Sequence, residues 1–412
     1  MDTYDLTNLT TPTHQYDIIL KNGRVLDPER NIDGILDVAL ADGKIAAVEK
    51  DIQHVCYNVV DCTGKLIVPG IIDSHLHCYP STHMSTTPET GGIYSGVPTV
   101  VDGGSAGYMT FPDFYNRYIT KATTDVYALL HIFPVGQYAH GFGHPIHSEP
   151  WDSRLFKMQY YRVLETVEEY RGRILGLKNR AIDTFFEYRG LAGLDEHLKL
   201  AEKCGLPYVV HIGEGHGEHI ADDVIDEFTR GMLERLRPGD IITHAFTGKR
   251  GNIFREDGKY DDLVVKAVER GVILDACTGR GNFSLRDLRC CQRLGLKPDI
   301  LSSDRTWMGL QGIIRHFGIN MSRFVAMGFS LKEVVAMSTI QPAKILGLDA
   351  TKGMLEVGRT ADISVFDYLE GEYTFAERIG GEEFKGDFVL SPAFTVREGR
   401  LYHTIHKGDN TL

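Results

Sequence analysis

From Leu66 onward the chain alternates short, nearly continuous apolar runs with longer polar or amphipathic stretches, and this alternation constrains the fold more than any other feature. The runs are Leu66 to Asp73, Thr99 to Asp102, Val126 to Phe133, Arg173 to Leu177, Tyr208 to Val210, Ile241 to Thr243, Val272 to Asp275 and Ile300 to Ser303. A strand that is apolar on both faces must be covered on both faces, as in a parallel sheet wrapped by helices. The stretches between runs supply such helices: Leu191 to Cys204 stops at Gly205 and Pro207, and Tyr260 to Arg270 stops at Gly271. Eight βα units in this span predict an α/β fold of the (β/α)8 TIM-barrel type.

Residues before Leu66 have a different texture. Tyr16 to Leu20, Val38 to Leu40, Ile45 to Val48 and Val59-Val60 are separated by Asn22-Gly23, Asp42-Gly43 and Thr63-Gly64, a meander-like β pattern. Met354 to Tyr368 and Phe388 to Tyr402 return to that texture. We therefore expect a small β-sandwich domain built from both chain ends, residues 1–65 and 351–412, beside a barrel of residues 66–350.

Charge narrows the partners. With 44 Lys and Arg against 56 Asp and Glu, the net charge of −12 lacks the cationic face that nucleic acid or an anionic membrane surface requires. No run approaches the ~18 to 20 apolar residues of a membrane span. Seven cysteines form no CxxC pair, and MDTYDLTNLTTPTHQ has neither the basic nor the apolar region of a secretory signal. These features predict a cytoplasmic protein with no nucleic-acid or membrane partner; a small-molecule substrate and homo-oligomeric assembly are separate expectations.

Barrel chemistry lies at the C-terminal ends of the strands, so the residues that end each run matter most. The first run ends in Asp73-Ser74-His75-Leu76-His77, the fourth in Lys178, the fifth in His211, the sixth in His244 and the eighth in Asp304. Two residues apart on a strand, His75 and His77 share a face and suit one metal ion. An HxH string alone is weak support; its company at one rim is what points to a metal site. Imidazole and carboxylate donors suit one or two zinc-like divalent ions. Two ions about 3.5 to 4 Å apart need an anionic bridge, and no glutamate ends the fourth run. Lys178 stands there, either as a solvent-facing ammonium or as a carbamate formed from carbon dioxide, and the histidine set favours the carbamate.

PGIIDSHLH (Pro69 to His77), Lys178, His211, His244 and Asp304, in this order, resemble the amidohydrolase superfamily of metal-dependent barrel hydrolases. QPAKILGL (Gln341 to Leu348) and GMLEVGRTADISVFD (Gly353 to Asp367) resemble its C-terminal signatures. VDGGSAG (Val101 to Gly107), GLKNR (Gly176 to Arg180), VHIGE (Val210 to Glu214), THAFTGK (Thr243 to Lys249) and LDACTGRGNFS (Leu274 to Ser284) are similar to its deacetylase-like, dihydroorotase-like branch. The resemblance implies that His75, His77 and Asp304 hold one ion, that His211 and His244 hold the second, and that carboxylated Lys178 bridges them. It further implies hydrolysis of an acyl amide or ester by a metal-bridging hydroxide, with Asp304 as proton shuttle. Ring opening of a cyclic amide is the alternative, but ring-opening relatives commonly carry an arginine or comparable group after HxH, where this chain has Cys78-Tyr79. Thr278 stands where the branch usually has a histidine, which leaves the acyl-group contact open.

Weaker candidates flank the mouth. Arg180 is a carboxylate clamp for substrate or a structural ion-pair partner, and Arg280 has the same two roles open to it. Trp307 lines an acyl pocket or closes its loop. His140, His144 and His147, among glycines and prolines between Gln137 and Trp151, read as a substrate-facing loop, and His216 and His219 as solvated or supporting residues. Cys78 and Cys277 lie next to strand ends; with no separate base implied, packing or mild substrate contact is their expected role.

Overall fold

The computed structural model describes residues 15–53, 56–137, 153–181, 189–213, 220–310, 314–377 and 379–405, the side chains of 153–158 excepted. The N-terminal segment forms β1 (Tyr16–Asp27), β2 (Ile32–Ala41), β3 (Lys44–Glu49), β4 (Cys56–Asp61) and β5 (Lys65–Pro69). The middle of the chain forms β6 (Ile72–Leu76), β7 (Thr99–Asp102), β8 (Asp125–His131), β9 (Ile174–Arg180), β10 (Tyr208–His211), β11 (Ile241–Thr243) and β12 (Ile273–Asp275). The C-terminal segment adds β13 (Ile363–Ala376), β14 (Glu383–Arg397) and β15 (Arg400–His403).

Strands β6 to β12 pair in sequence order, every neighbour parallel, as one curled seven-stranded sheet. Ile72, Val101, Leu129, Val209 and Ile241, from five different strands, cluster with Ile300, Ala343, Leu346 and Leu348. Burying each large aliphatic side chain contributes about 1.5–3 kcal/mol. The larger apolar cluster joins alternate strand positions such as Val100, Leu130 and Val210 to Leu194 and Leu198 of helix Gly190–Cys204. That helix ends at Gly205 (φ 65°), and helix Asp261–Glu269 ends two residues before Gly271 (φ 99°), both close to the expected stops. Among the described residues no helix is long and apolar enough to cross a membrane.

The eighth apolar run forms no ladder. Isolated parallel bridges, Asp275 to Ile300 and Leu76 to Arg305, attach it to β12 and to β6. The cause is competition for its backbone: Ser303 N–H donates to the Asp73 carboxylate (3.0 Å) and Arg305 N–H to the Ser303 hydroxyl (3.1 Å). Asp304 also has φ 47°, outside strand geometry. The segment still reaches β6 directly, because Asp304 N–H donates to His75 O (2.7 Å) and His77 N–H to Arg305 O (2.9 Å).

The other strands make one eight-stranded sheet, ordered β15-β14-β13-β5-β1-β2-β3, with β4 also pairing β1. Both chain ends therefore meet in it, through antiparallel β5 and β13. Two local readings change. Leu66 to Asp73 is not one strand: β5 joins the terminal sheet and β6 the parallel one. Pro69 has no N–H to continue a ladder, and Gly70 N–H donates across to Asp362 O (2.8 Å). Asn22-Gly23 is a bulge inside a continuous β1, where the register with β2 shifts between Leu20 and Gly23. Asp42-Gly43, with φ 51° and 73°, is the hairpin turn its sequence suggested.

Candidate metal centre

The six residues expected at the metal site converge at the C-terminal ends of the parallel strands. β6 carries His75, with His77 just beyond it; β9 carries Lys178, β10 ends on His211, His244 follows β11, and Asp304 ends the bridging segment. The His75 and His244 ring centroids are 5.3 Å apart, those of His211 and His244 4.3 Å, and those of His75 and His77 5.5 Å. Lys178 Nζ lies 3.4 Å from His75 Nε2. The Gly-Gly pair after β7 makes room for this crowding. A Cβ on Gly103 would fall 2.1 Å from His75 Cδ2, and one on Gly104 would fall 2.7 Å from Lys178 Cγ.

Hydrogen bonds set which ring nitrogens face the centre. His244 Nδ1 lies 2.8 Å from the Cys277 carbonyl oxygen, which can only accept, so Nδ1 carries the proton and Nε2 a lone pair. That Nε2 is buried and has no hydrogen-bond partner. The Thr243 hydroxyl donates to Asp275 Oδ2 (2.7 Å) and so accepts from His75 Nδ1 (2.9 Å), which turns the His75 Nε2 lone pair toward the centre and Lys178 Nζ. Ser302 donates to the other Asp275 oxygen (2.7 Å), completing a buried relay behind His75. His77 Nδ1 meets Ser105 Oγ at 2.8 Å.

Asp304 turns one oxygen toward His75 and His77 and the other toward His244 and Asn282. Oδ1 is 3.2 Å from His77 Nε2 and 3.8 Å from His75 Nε2, and Oδ2 accepts from Asn282 Nδ2 at 3.2 Å. Lys249 donates to Asn282 Oδ1 and thereby fixes the direction of that amide. His244 (φ 61°) and Asp304 (φ 47°) both hold left-handed backbone, a cost of about 1–3 kcal/mol each that residues at functional sites often carry.

Burial dominates the electrostatics. It holds His75 and His211 well below the usual histidine range and pushes His244 down to about 3, so these rings are neutral at pH 7. Burial also pushes Lys178 down to about 8. Among the described residues no carboxylate lies within ion-pairing distance of Lys178. Neutral imidazole lone pairs, a carboxylate and a readily deprotonated amine together fit divalent cations.

Of the substrate candidates, Arg180 is half-buried at the end of β9, where its charge acts on both Lys178 and His211. Thr278 is buried, and its hydroxyl donates to Asn320 Oδ1 (3.1 Å) rather than opening to the mouth. Arg280 is exposed, 3.7 Å from Met308 Sδ. Trp307 closes its loop, its indole N–H donating to His83 O (2.7 Å) and its backbone N–H to Met84 O (3.1 Å). The loop histidines 140, 144, 147, 216 and 219 lie outside the described residues. Sequence reasoning missed the Thr243–Asp275 relay, Asn282 and the inward placement of Cys277. The strand period could have found Asp275, two residues before Cys277 on the same face.

Comparison with known proteins agrees with this geometry. The chain is 30% identical to a deacetylase of Agrobacterium fabrum over 333 residues, 80% of this chain and 78% of that one. The crystal structure of an adenine deaminase superposes with a TM-score of 0.81 at 25% identity, covering 94% of this chain and all of that one. That of a dihydroorotase gives 0.80 at 27% identity, covering 95% and 98%. The amidohydrolase family model matches residues 66–410, which takes in the whole curled sheet and every residue of the cluster at its rim. This chain belongs to the amidohydrolase family.

Proposed function

We propose that the chain is a binuclear metal-dependent hydrolase that removes an acyl group from an amide, or an ester, of a small carboxylate-bearing substrate. The observation that carries this reading is the convergence of the Nε2 atoms of His75 and His244, the latter without a hydrogen-bond partner, with Lys178 and Asp304 at one strand-end rim. His75, His77 and Asp304 would hold one ion, His211 and His244 the other, and Lys178, as its carbon dioxide adduct, would join them. Two zinc-class ions, when bound, would polarise the substrate carbonyl and acidify a water. Asp304 Oδ2, steadied by Asn282, is placed to take a proton and return it to the leaving nitrogen or oxygen. Lys178 is buried without a carboxylate partner among the described residues, which leaves its amine free to react with carbon dioxide.

Arg180 would clamp the substrate carboxylate, Arg280 would extend the cationic rim, and Thr278 would support the wall through Asn320. The same reading includes a closed (β/α)8 barrel, residues 66–350 apart from β5, completed by the segment that bridges β12 and β6. It also includes a β-sandwich in which residues 1–65 and 351–412 fold over a shared core containing Leu20, Val38, Val365 and Val396. Seven unpaired thiols support a reducing, cytoplasmic setting, and we keep homo-oligomeric assembly as part of the proposal.

The test is a substrate panel on metal-replete protein: acylated amino and hydroxy acids against cyclic imides and dihydropyrimidines. Turnover of the acyclic acids is expected; ring opening without acyl removal would overturn the reading in favour of a cyclic amidohydrolase. Arg180→Met should cost ~2 to 4 kcal/mol in kcat/KM on an anionic substrate and much less on its neutral amide analogue. Equal losses would move Arg180 to a structural role.

A further inference from the structure

The rim carries one more donor than the six residues of the proposed centre. β12 ends at Asp275, and Cys277 follows two residues later, so both side chains fall on the inward face. The backbone there is anchored, with Ala276 N–H donating to Ile300 O (2.9 Å) and Thr278 N–H to Ser302 O (3.3 Å). Asp275 is committed to Thr243 and Ser302. Cys277, one step nearer the mouth, is a buried free thiol.

One donor atom from each of His75, His244, Cys277 and Asp304 lies within 4.8 Å of the other three. Donors held tetrahedrally by one ion with bonds of about 2.0–2.3 Å lie about 3.3–3.8 Å apart, so a contraction of up to about 1 Å brings Cys277 and its neighbours to bonding distance of an ion among them. A second observation points into the same space. His244 gives its Nδ1 proton to the carbonyl of Cys277 itself, which leaves a buried Nε2 without a hydrogen-bond partner, 4.0 Å from Asp304 Oδ2.

Building on the metal-hydrolase reading, we propose that Cys277 is a further metal ligand, its thiolate sulfur adding to the ion assigned to His75, His77 and Asp304, with His244 of the neighbouring ion closing the same donor group. Binding replaces the S–H bond with a metal–sulfur bond and releases that proton to solvent. Thiolate is a softer donor than imidazole or carboxylate, so it biases the centre toward zinc, cobalt(II) and cadmium and away from magnesium and manganese. The residue then has two connected roles, orienting one imidazole through its carbonyl and binding the ion through its side chain.

Cobalt(II) loaded into metal-depleted protein tests this. The expected result is a near-ultraviolet sulfur-to-cobalt charge-transfer band in the wild type and in Cys78→Ser. The band should be absent from Cys277→Ser, while the visible d–d bands show that cobalt is still bound. Cobalt bound without a charge-transfer band would overturn the role of Cys277 and leave the metal-hydrolase reading standing. Failure to bind cobalt or zinc at all would overturn both. X-ray absorption on zinc-loaded wild type needs no variant: a sulfur scatterer at about 2.3 Å supports the proposal, and a shell of nitrogen and oxygen alone refutes it.

Discussion

Asp125 opens β8 and His131 closes it, and the buried polar groups at these two ends of the parallel sheet are arranged on opposite principles. At the N-terminal end the buried charges among the described residues are met by opposite charges or backbone N–H groups. Asp125 meets Lys352 at 2.9 Å and Arg173 at 2.8 Å, and Lys352 also meets Asp362 at 2.7 Å. Asp240 accepts from the first backbone N–H of β10, and Asp299 accepts from Leu274 N–H in β12, each at 2.8 Å. At the C-terminal end the donor set is left open: a bare histidine nitrogen, a lysine without a carboxylate within reach among the described residues, and left-handed backbone at two of the converging residues. Desolvation acts on both ends. Satisfied pairs repay it at one, and at the other the unspent lone pairs are what a cation would bind.

The largest expected effect comes from removing the Lys178 amine, whose carbon dioxide adduct is the proposed bridge. Lys178→Ala should lose bound metal and cut activity by ~10⁴-fold or more, beyond the usual range for one proton-transferring group, because the ions leave with it. Metal content by mass spectrometry of the purified protein, two ions per chain falling below one, is the measurement, and a short carboxylic acid should restore part of the activity. Full activity without metal would erase the contrast between the two ends.

Asp304→Asn keeps an oxygen donor but cannot take a proton. Its kcat should fall by ~10² to 10⁴ with most metal retained. Near-normal turnover would remove Asp304 from the chemistry.

At the closed end the effect should appear in stability instead. Asp125→Asn leaves Lys352 and Arg173 underpaired and should cost about 3–5 kcal/mol, read by denaturant unfolding, with kcat of the folded enzyme unchanged. Burial would raise the Asp125 carboxyl, but Lys352 and Arg173 hold it down at about 2 against an ordinary 3.8. The unfolded chain therefore binds more protons between these values. The stabilisation is full above about pH 4 and is lost as the pH falls toward 2, so the variant should show a flatter acid limb of Tm against pH. A kcat loss larger than the stability loss would show that the two ends are not separate.

The smallest expected effect lies one layer behind the open end. Thr243→Val breaks the link between His75 and Asp275 and should weaken metal affinity by ~10 to 100-fold, measured by competition with a chelator. Unchanged affinity would show that His75 is held by packing alone.

The sequence showed the functional end more clearly than the structural one. His75, His77, Lys178, His211, His244 and Asp304 were legible because each ends an apolar run, and run ends of parallel strands share one rim. Asn22-Gly23 has the composition of a turn, yet it is a bulge in the pairing of β1 with β2, at a point where Ile67, far away in sequence, leaves no room for a Cβ on Gly23. The split at Pro69-Gly70 was hidden because Ile71 and Ile72 continue the apolar run of Leu66 to Val68 across it; only the pairing with β13 separates the two strands. For Cys277 the sequence left packing or mild substrate contact, because a thiol's surroundings are set in the fold, where His75 and Asp304 arrive from distant segments.

The shared terminal sheet sets an order of events during synthesis. Lys65 of β5 ends beside Asp367 of β13, 302 residues later. At about 5–20 residues per second the ribosome needs roughly 15–60 s to deliver that partner, and during this time one edge of β5 has no neighbour from β13. Each strand from β6 to β11, by contrast, pairs with the strand that follows it and can assemble as it emerges. The nascent chain therefore completes its catalytic half first and carries an open strand edge until β13 arrives, so premature termination before Ile363 leaves an aggregation-prone intermediate rather than a smaller enzyme.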